Sequence, residues 1–407
     1  MALNTLTTKC CIAGGGPAGM MLGFLLARAG IEVVVLEKHA DFFRDFRGDT
    51  IHPSTLQLMH ELGLLEEFLK VPHQEMKHLG FDFNNYPIQL ADFTHLKIAK
   101  PVLALMPQWD FLKFIEQHAV KYAGFKLVMN ANVTDLIKEN GRVTGVVATT
   151  KDGPLEVRGA VVVGTDGRRS TVREKAELKV LSSGVPIDVL WFRITRKETD
   201  PPQTFGRFEH GHVMVLLNRD EYWQCAYIID KGGYDKIQNS GLVAFRETLA
   251  EVSPFLADRL EELKSWDDIK LLTVDIDHLE RWYTDGLLCI GDAAHAMSPI
   301  GGVGINLAIQ DAVATANILY QPLLRNEPIT NAVLQLVQKR REFPARVIQK
   351  LQINIQNNII THGGKLNEAT KPPLVMRIIN MIPLLQRLPA KAVGMGVRPE
   401  HVRTPEA

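Results

Sequence analysis

The sequence predicts an α/β fold made of two interleaved units. Near the N-terminus, a short apolar run at residues 8–13 leads through a glycine-rich turn and a helix to a second apolar run that ends at Glu37. Residues 186–231 instead carry long, alternating, aromatic-rich stretches, typical of antiparallel strands with one covered face. After residue 270 the pattern of strand, glycine turn and helix returns. We therefore expect a Rossmann-like domain with a parallel sheet, an α+β domain on a mostly antiparallel sheet, and C-terminal helices.

The N-terminal unit begins with the run at 8–13, which is short and apolar like a fully buried parallel strand. A helix is predicted from about Pro17 to Ala29, and the right-handed crossover rule makes the strands on either side of it parallel. The apolar stretch from Cys10 to Gly30 lacks the basic flank of a signal segment and is interrupted by glycines and Pro17. We interpret it as strand, turn and helix, not as a signal or membrane segment.

Helical periodicity recurs at 54–70 and 109–123, and residues 126–163 follow as several strands with a turn at Asp152 and Gly153. The first domain is therefore expected to be discontinuous. The predicted boundaries are 1–75, 100–180 and 272–370 for this domain, 76–99 and 181–271 for the second, and 371–407 for a C-terminal helical segment.

The composition is ordinary for a globular protein of 407 residues, and 46 Lys and Arg residues balance 46 Asp and Glu residues. No overall field therefore favours nucleic acid or an anionic membrane surface as a partner. Four cysteines are too few and too scattered for a disulfide framework, which favours a reducing, cytoplasmic compartment. Cys10, Cys11 and Cys289 lie in strongly apolar runs, where a buried and inert thiol is expected. No spacing of histidines, cysteines or carboxylates suggests a metal site.

The first motif is the run G-G-G-P-A-G at 14–19, between the first strand and the first helix. Gly14 permits the tight turn, Gly16 leaves room for a pyrophosphate against the backbone, and Gly19 allows helix and strand to approach closely. The helix N-terminus offers free N–H groups and a partial positive charge to phosphates. Glu37 ends the second strand, where its carboxylate can accept both ribose hydroxyls and would repel a 2′-phosphate. The motif predicts bound FAD or NAD, not NADP.

Two further motifs each follow an apolar strand. The run V-G-T-D-G-R-R-S occupies 163–170, and L-L-C-I-G-D-A-A-H occupies 287–295. The latter is followed by P-I-G-G-V-G-I-N at 299–306, which opens a helix. Each motif alone could arise by chance, but the three in this order and spacing form a specific set.

This set resembles the class A flavoprotein monooxygenases, the family of p-hydroxybenzoate hydroxylase and the ubiquinone-biosynthesis hydroxylases, over nearly the whole chain. The resemblance implies FAD as the cofactor, with the first motif on its ADP half. It places Asp166 and Gly167 near the FAD pyrophosphate and implicates them in the use of NADH or NADPH. It also places Asp292 on the ribityl chain.

The same resemblance places three further residues at FAD. Arg47 corresponds to the family arginine that reaches the FAD phosphates, Gln108 to the flavin-side glutamine, and Val133 to the position whose backbone meets the adenine. The full set of expected cofactor-binding residues is Gly14, Gly16, Pro17, Ala18, Gly19, Glu37, Lys38, Arg47, Gln108, Val133, Asp166, Gly167, Asp292, Pro299, Gly301, Gly302, Val303, Gly304, Ile305 and Asn306.

Physical arguments agree with this assignment. A carboxylate at a strand end, such as Asp292, can accept hydrogen bonds from a polyol. The glycines within 299–306 let backbone N–H groups approach a planar ring, and the helix N-terminus after them would stabilise negative charge on a reduced flavin. The run G-G-V-G-I-N departs from the G-x-G-x-N of many hydroxylases, so the individual flavin contacts are less defined. A second G-x-G-x-x-G is absent, as is normal for this family, and NADH versus NADPH stays open.

The resemblance implies an FAD-dependent monooxygenase in which NAD(P)H reduces the flavin and O2 forms a flavin C4a-hydroperoxide. This species would hydroxylate an aromatic, quinone-like, polyketide-like or other electron-rich small molecule, and no catalytic side chain is identified. Alternatives are a flavin-dependent halogenase or a prenyl-chain reductase on the same fold, or a non-catalytic flavin-binding protein. The W-x-W-x-I-P signature of the halogenases is absent, the nearest segment being Y-W-Q-C-A-Y-I.

Candidate substrate-pocket residues lie in the β-rich part of the chain. Trp191 and Arg193 are two apart on one predicted strand and share a face, and Trp223 and Tyr227 share a face of another. If these faces cover the flavin, all four side chains line the pocket. The alternative is ordinary core packing.

The segment 372–400 is apolar, with interspersed arginine and lysine. It could rest weakly on a membrane surface, but Pro383 and Pro389 interrupt it, so it is too short to span. Packing against the first domain is favoured. His52 and His295 follow predicted turns or strands, and we expect histidines bonded to backbone rather than proton relays. A monomer and a homodimer are both compatible with the sequence.

Overall fold

The computed structural model describes residues 4–43, 50–357 and 372–407. The predicted phosphate contact Arg47 lies outside these residues. The strands are β1 (Asn4–Ala13), β2 (Val33–Leu36), β3 (Thr50–Ile51), β4 (Gln74–Met76), β5 (His78–Phe83), β6 (Tyr86–Asp92), β7 (Leu103–Leu105), β8 (Phe125–Val128), β9 (Asn132–Glu139), β10 (Arg142–Thr150), β11 (Gly153–Gly164), β12 (Val180–Ser183), β13 (Ile187–Thr195), β14 (Phe205–Glu209), β15 (His212–Asn218), β16 (Tyr222–Asp230), β17 (Lys270–Leu272), β18 (Ile276–Leu279), β19 (Tyr283–Thr284), β20 (Leu287–Cys289) and β21 (His295–Ala296).

Short 3₁₀ turns connect several of these elements. The α-helices are α1 (Pro17–Arg28), α2 (Pro53–Glu61), α3 (Leu65–Phe68), α4 (Gln108–Ala119), α5 (Thr171–Lys175), α6 (Tyr234–Ser240), α7 (Leu242–Val252), α8 (Gly304–Leu324), α9 (Asn331–Ile355), α10 (Leu374–Met381) and α11 (Pro383–Gly394).

The larger sheet carries the predicted parallel core. Its strand order is β19-β20-β11-β1-β2-β8, and β10 pairs with β11 and with β9 off that path. β1 is parallel to both β2 and β11, with Cys10 opposite Val33 on one side and Val161 on the other. β2 is buried along its whole length, as expected for a strand covered on both faces. The predicted Rossmann-like α/β unit is confirmed.

A second, seven-stranded sheet has the order β17-β13-β16-β15-β14-β5-β6. All its pairs are antiparallel except β14 with β5. One face is buried beneath α7, where Phe192, Leu216 and Trp223 pack against Phe245 and Leu249. The predicted mostly antiparallel sheet is confirmed, and the segment 76–99 contributes β5 and β6 to it.

The C-terminal helices pack mainly against β6, at the edge of the second sheet. The prediction favoured the first domain, which α11 meets near its C-terminal end, where the carbonyl oxygen of Val393 accepts from His52 at 2.7 Å. The backbone N–H of Gln89 donates to Asn380 Oδ1 at 2.8 Å, and Gln89 Nε2 donates to Gln386 Oε1 at 2.7 Å. An edge strand exposes unpaired backbone and side-chain groups, which explains why helices cover it.

Beyond these helices the chain returns to the first domain as an extended tail, residues 398–407. Arg28 of α1 donates to the carbonyl oxygen of Thr404 at 3.0 Å and accepts at its own carbonyl from the N–H of Ala407 at 2.9 Å. The N–H of Val402 donates to Glu61 of α2 at 2.9 Å. The tail therefore joins helices that come early in the sequence.

The four cysteines are buried free thiols. Burial raises the pKa of the Cys11 thiol to about 12, so it is protonated and unreactive at neutral pH. The expected burial of Cys10, Cys11 and Cys289 is confirmed. None of the described helices combines the length and the apolar character that crossing a bilayer requires.

Candidate functional site

The first glycine turn has the geometry that its sequence predicts. Gly14 has φ +112°, and its N–H donates to Leu36 O at 2.8 Å, which ties the end of β1 to the end of β2. A Cβ on Gly19 would lie 1.9 Å from the carbonyl oxygen of Gly14. Any side chain at position 19 would therefore force helix α1 away from the turn.

The N-terminus of α1 is open. No atom of the described residues lies within 4 Å of the position that a Cβ on Gly16 would take. No side chain caps Gly16, and the first turn, which begins Pro17-Ala18, contains no acid. An uncapped helix N-terminus with free space in front of it suits a phosphate or pyrophosphate.

Glu37 lies beside this opening, at the end of β2. Its side chain is buried, and its two carboxylate oxygens accept from the N–H of Gly15 and the N–H of His39, each at 3.0 Å. These bonds fix the orientation of the carboxylate beside the open helix end. Lys38 is exposed. The N–H of Ala131 donates to the carbonyl oxygen of Glu37 at 2.8 Å, which brings the start of β9, with Val133, next to the same corner.

The second turn meets the first. Thr165 Oγ1 donates to the carbonyl oxygens of Gly14 at 2.7 Å and Ala13 at 3.0 Å. The Asp166 carboxylate accepts from Ser170 Oγ at 2.5 Å and from the N–H of Val172 at 3.1 Å, so it caps α5. Burial raises the pKa of Asp166.

The cap leaves little of the Asp166 carboxylate for a ligand. The prediction places both Asp166 and Gly167 near a pyrophosphate. In this turn the backbone of Gly167, with φ +86°, is the part that has open space beside it. Their part in cofactor binding stays a prediction.

The third turn meets both of the others. A Cβ on Gly291 would lie 3.3 Å from Ala18 Cβ in α1 and 3.2 Å from Ala308 Cβ in α8. The next residue, Asp292, keeps about a third of its side chain exposed, at 34%, and its Oδ2 lies 3.7 Å from Arg168 Nη2. Arg168 follows the second turn directly. The three motifs therefore converge on one edge of the parallel sheet.

The loop from Pro299 leads into α8 through two glycines in the left-handed region, Gly301 at φ +79° and Gly302 at φ +61°. No side chain caps the N-terminus of α8 at Val303, and its first turn, Gly304-Ile305, has no acid. This second open helix end suits an electron-rich group on a flat ring. Val303 and Ile305 are buried.

The side-chain amide of Asn306 forms hydrogen bonds to other groups of the protein. Its Nδ2 donates to Thr50 O at 2.9 Å and to Gly302 O at 3.3 Å, while its Oδ1 accepts from the N–H of His52 and from Thr55 Oγ1, each at 2.8 Å. With the amide fully engaged, Asn306 positions the glycine loop rather than contacting a ligand through its side chain.

Gln108 is the first residue of α4, a helix that packs against α1. Its neighbour Trp109 lies against Phe43, with ring centroids 4.9 Å apart. Gln108 is partly exposed, and its flavin-side role stays a prediction.

The four candidate substrate residues do not lie together. In the pairing of β13 with β16, Arg193 is opposite Gln224 and Trp191 is opposite Ala226, on one face of the sheet. Trp223 is fully buried on the other face beneath α7, where its Nε1 donates to Asp200 Oδ2 at 2.9 Å.

Tyr227 lies on the same face as Trp223, and its hydroxyl is 2.6 Å from His212 Nδ1. Trp223 and Tyr227 therefore belong to the core beneath α7, which is the alternative of core packing, and the four side chains do not share one face. A pocket role for Trp191 and Arg193 stays a prediction. Trp191 packs with Val189 and Val274 on the opposite face, and Arg193 is exposed there with its guanidinium 5.0 Å from the ring of Tyr222.

His52 and His295 are both buried. His52 Nδ1 donates to the carbonyl oxygen of Val393 at 2.7 Å, as expected for a backbone-bonded histidine. His295 differs from the expectation, because its Nε2 lies 2.5 Å from the carboxylate of Asp311. Arg341 Nε donates to the same carboxylate at 2.8 Å.

Sequence reasoning missed Asp311 and Arg341. The available signal was a carboxylate inside the otherwise apolar helical run L-A-I-Q-D-A-V-A-T-A-N. A charge on a buried helix face needs a partner, and nothing in the spacing names that partner.

The described residues fit FAD. The evidence is the open space at Gly16, the two uncapped helix N-termini, and the carboxylates of Glu37 and Asp292 at separate ends of the same edge. Among these residues, no group of three or more histidine, cysteine, aspartate or glutamate side chains could hold a metal ion.

Comparison with known proteins gives matches to a family model, to two relatives and to a solved structure. A family model described as "FAD binding domain" matches residues 7–350. The 6-methylpretetramide 4-monooxygenase of Streptomyces rimosus is 32% identical over 382 residues, covering 91% of this chain and 88% of the relative. Dialkyldecalin synthase of Streptomyces rugosporus is 28% identical over 74% of this chain, and the match spans 63% of the synthase. Among solved structures, an anhydrotetracycline hydroxylase from Streptomyces rimosus is similar over 96% of this chain and 76% of its own length, with a TM-score of 0.76 and 23% identity.

Proposed function

The chain belongs to the FAD-dependent, class A flavin monooxygenase family, and from this premise we propose that its substrate is an aromatic polyketide or a similar electron-rich ring compound. The observation that carries the cofactor part of this function is the convergence of the three glycine turns, of which the second and third are linked by the pair Arg168–Asp292. The pretetramide monooxygenase, with its high coverage, supports the substrate class.

The residues of this chain have separate tasks at the cofactor. The N–H groups at the start of α1 would hold the pyrophosphate, and Glu37 would accept the ribose hydroxyls. Asp292 would accept from the ribityl hydroxyls, and the start of α8 would stabilise negative charge on the ring. When bound, FAD would supply the redox chemistry of a reaction in which NADH or NADPH provides two electrons, one oxygen atom of O2 enters the substrate and the other leaves as water.

The substrate would bind between this edge and the Trp191 face of the second sheet. Two contacts support this placement: Arg168 Nη1 lies 3.4 Å from Thr273 O, and the next residue, Val274, packs with Trp191. Trp191 offers an aromatic surface for stacking, and Arg193 offers a cation for a phenolate or carbonyl oxygen.

Substrate-accelerated reduction of the flavin tests the proposal. The FAD-loaded protein is mixed anaerobically with NADPH or NADH and a panel of aromatic polyketides, phenols and quinone precursors, and flavin bleaching is followed. Aerobic turnover in ¹⁸O2 should then give a product heavier by one labelled oxygen atom. Bleaching without any oxygenated product would count against hydroxylation and favour a reductase. Incorporation of bromide or chloride, added in parallel, would favour a halogenase.

A second, weaker proposal concerns the surface formed by α10 and α11, which we call the C-terminal apolar surface. Its large exposed side chains are Leu374, Val375, Ile378, Met381, Ile382, Leu384 and Leu388. Residues 372–399 contain no acid, and Arg377, Arg387 and Lys391 are interspersed among the apolar residues. This combination suits weak contact with an anionic lipid surface that delivers a greasy substrate.

Co-sedimentation with vesicles tests this contact. Binding to anionic vesicles should exceed binding to neutral ones and should fall in a Leu384→Ser, Leu388→Ser double variant. Equal binding to both vesicle types would reject the lipid contact, and a dimer in sedimentation velocity that the double variant abolishes would assign the surface to self-association instead.

A further inference from the structure

Asp311 carries a fully buried carboxylate in the middle of α8. Its Oδ2 accepts from the N–H of Gly291 at 3.1 Å and from His295 Nε2 at 2.5 Å, and its Oδ1 accepts from Arg341 Nε at 2.8 Å. Burial alone would raise the pKa of Asp311, but His295 and Arg341 outweigh burial and hold the pKa below its ordinary value. The side chain is therefore a buried carboxylate with three donors.

One of those donors belongs to the Gly-Asp turn. Gly291 has φ +60°, and a Cβ at this position would lie 3.3 Å from Ala18 and 3.2 Å from Ala308, so a larger residue would be strained and crowded there. The bond from its N–H to Asp311 fixes the peptide between Ile290 and Gly291, one residue before Asp292. A change at Asp311 would therefore reach the ribityl end of the proposed cofactor site without any contact to the ligand.

The network continues to the tail. Arg341 Nη1 donates to Glu400 Oε1 and to the carbonyl oxygen of Arg398, each at 3.3 Å. Arg340 Nε donates to the same Glu400 oxygen at 2.6 Å. The N–H of Glu400 donates to Gln310 Oε1 at 2.5 Å, one residue before Asp311. Glu400 is buried, so the tail is fixed at this point by charge as well as by backbone bonds.

We propose that Asp311 is a positioning residue for the flavin site, and that Glu400 supports it through Arg341. The carboxylate of Asp311 orients the Gly291 peptide so that Asp292 meets the ribityl hydroxyls, and Glu400 holds Arg341 against Asp311. This inference rests on the proposed cofactor role of Asp292 and adds to it two residues that do not touch the ligand.

A double-mutant cycle on FAD affinity tests the coupling. The dissociation constant of FAD is measured by fluorescence for the wild type, Asp311→Asn, Asp292→Asn and the double variant. Each single variant should raise the constant about tenfold or more. The FAD dissociation constant of the double variant should be close to that of the single variant that binds FAD more weakly. Once Asp292 has lost its carboxylate, the orientation that Asp311 gives to the turn no longer helps binding.

The outcomes of this cycle distinguish the positioning role of Asp311 from the cofactor role of Asp292. If the two effects multiply in the double variant, Asp311 acts independently of Asp292 and the positioning role is wrong. If Asp292→Asn leaves the constant unchanged, the cofactor assignment of Asp292 fails and the inference fails with it. Thermal denaturation of the four apoproteins shows whether loss of affinity merely follows loss of fold.

Asp311→Asn removes one partner of a buried ion pair and can fail to fold. The tail then provides the test. Glu400→Gln keeps the shape of the side chain and should raise the FAD dissociation constant several-fold. Glu406→Gln is the matched control, because Glu406 lies on the same tail but pairs at the surface with Arg28 and Tyr122. Equal constants for the two tail variants would overturn the support role of Glu400.

Discussion

The Arg168 guanidinium lies 3.7 Å from the Asp292 carboxylate, which joins the turn after β11 to the turn after β20. The two strands are parallel neighbours, with Gly164 opposite Cys289, so their carboxyl ends meet at the same edge. Polar groups from distant parts of the sequence are thereby concentrated where open α/β sheets bind ligands.

Asp292→Ala should empty the flavin site. The carboxylate is partly exposed and its removal takes away an acceptor for the ribityl hydroxyls, so the FAD dissociation constant should rise about tenfold to a hundredfold. Flavin absorbance after gel filtration measures the occupancy. Asp275→Ala is the control, since Asp275 is exposed and pairs with Lys231. Full yellow colour in purified Asp292→Ala would remove Asp292 from the site.

Gly16→Ala and Gly19→Ala should behave differently. The added methyl group at Gly16 meets only open space, so the apoprotein should keep its stability while FAD binding weakens about tenfold or more. At Gly19 the methyl group meets the backbone of Gly14, and the apoprotein should lose about 1–3 kcal/mol. Denaturant titration and FAD titration of both variants measure these effects. Unweakened FAD binding by Gly16→Ala would place the pyrophosphate elsewhere.

Trp191→Ala and Trp223→Ala distinguish the two faces of the second sheet. Trp223 is fully buried, and its removal should cost about 3–5 kcal/mol of unfolding free energy. Trp191 is half-buried, and its removal should raise the KM for the aromatic substrate while costing much less stability. Steady-state kinetics and urea denaturation give both quantities. An unchanged KM in Trp191→Ala would exclude this side chain from the pocket.

Acid should weaken the fold through His52. Burial lowers the pKa of His52 from the ordinary value of 6.5 to about 4, and the hydrogen bond from its ring to the carbonyl oxygen of Val393 offsets only part of this effect. In the unfolded chain His52 takes up a proton below about pH 6.5, whereas in the folded chain it does so only below about pH 4. The free energy of unfolding therefore falls as the pH drops through this window. The loss from His52 should be about 2 kcal/mol between about pH 7 and about pH 5. Urea denaturation at both pH values should show a smaller pH dependence in His52→Gln, and an equal dependence would assign the loss to other groups.

Much of the first domain could be predicted from the sequence. Gly14 needs a positive φ and Gly19 a close approach of helix to turn, while Gly16 leaves space for a ligand, and the apolar runs around them have the length of buried parallel strands. The convergence of the three turns follows from the rule that parallel strands end at one edge. In this domain, the residue types of each motif and the direction of the strands were sufficient to predict the fold and the place where the turns meet.

The second sheet shows where such reasoning ends. Alternation shows that Trp223 and Tyr227 share a face, but not which face of β16 lies over the cofactor edge. That choice depends on the pairing of Arg193 with Gln224 and on the position of α7, both of which are tertiary contacts. The ion network at Asp311 was missed for the same reason, since its partners Arg341 and Glu400 lie far away in sequence.

The hydrogen bonds between the tail and α1 can form only after the tail has been synthesised. Arg28 is made early, yet its partners around residue 404 leave the ribosome only after nearly everything between them has been synthesised. The parallel sheet depends likewise on β20, which follows the entire second domain. Contacts between residues far apart in the sequence form slowly, so the sheet edge that carries the proposed cofactor site is completed late in folding. Until then the apolar strands of the first domain are exposed to aggregation.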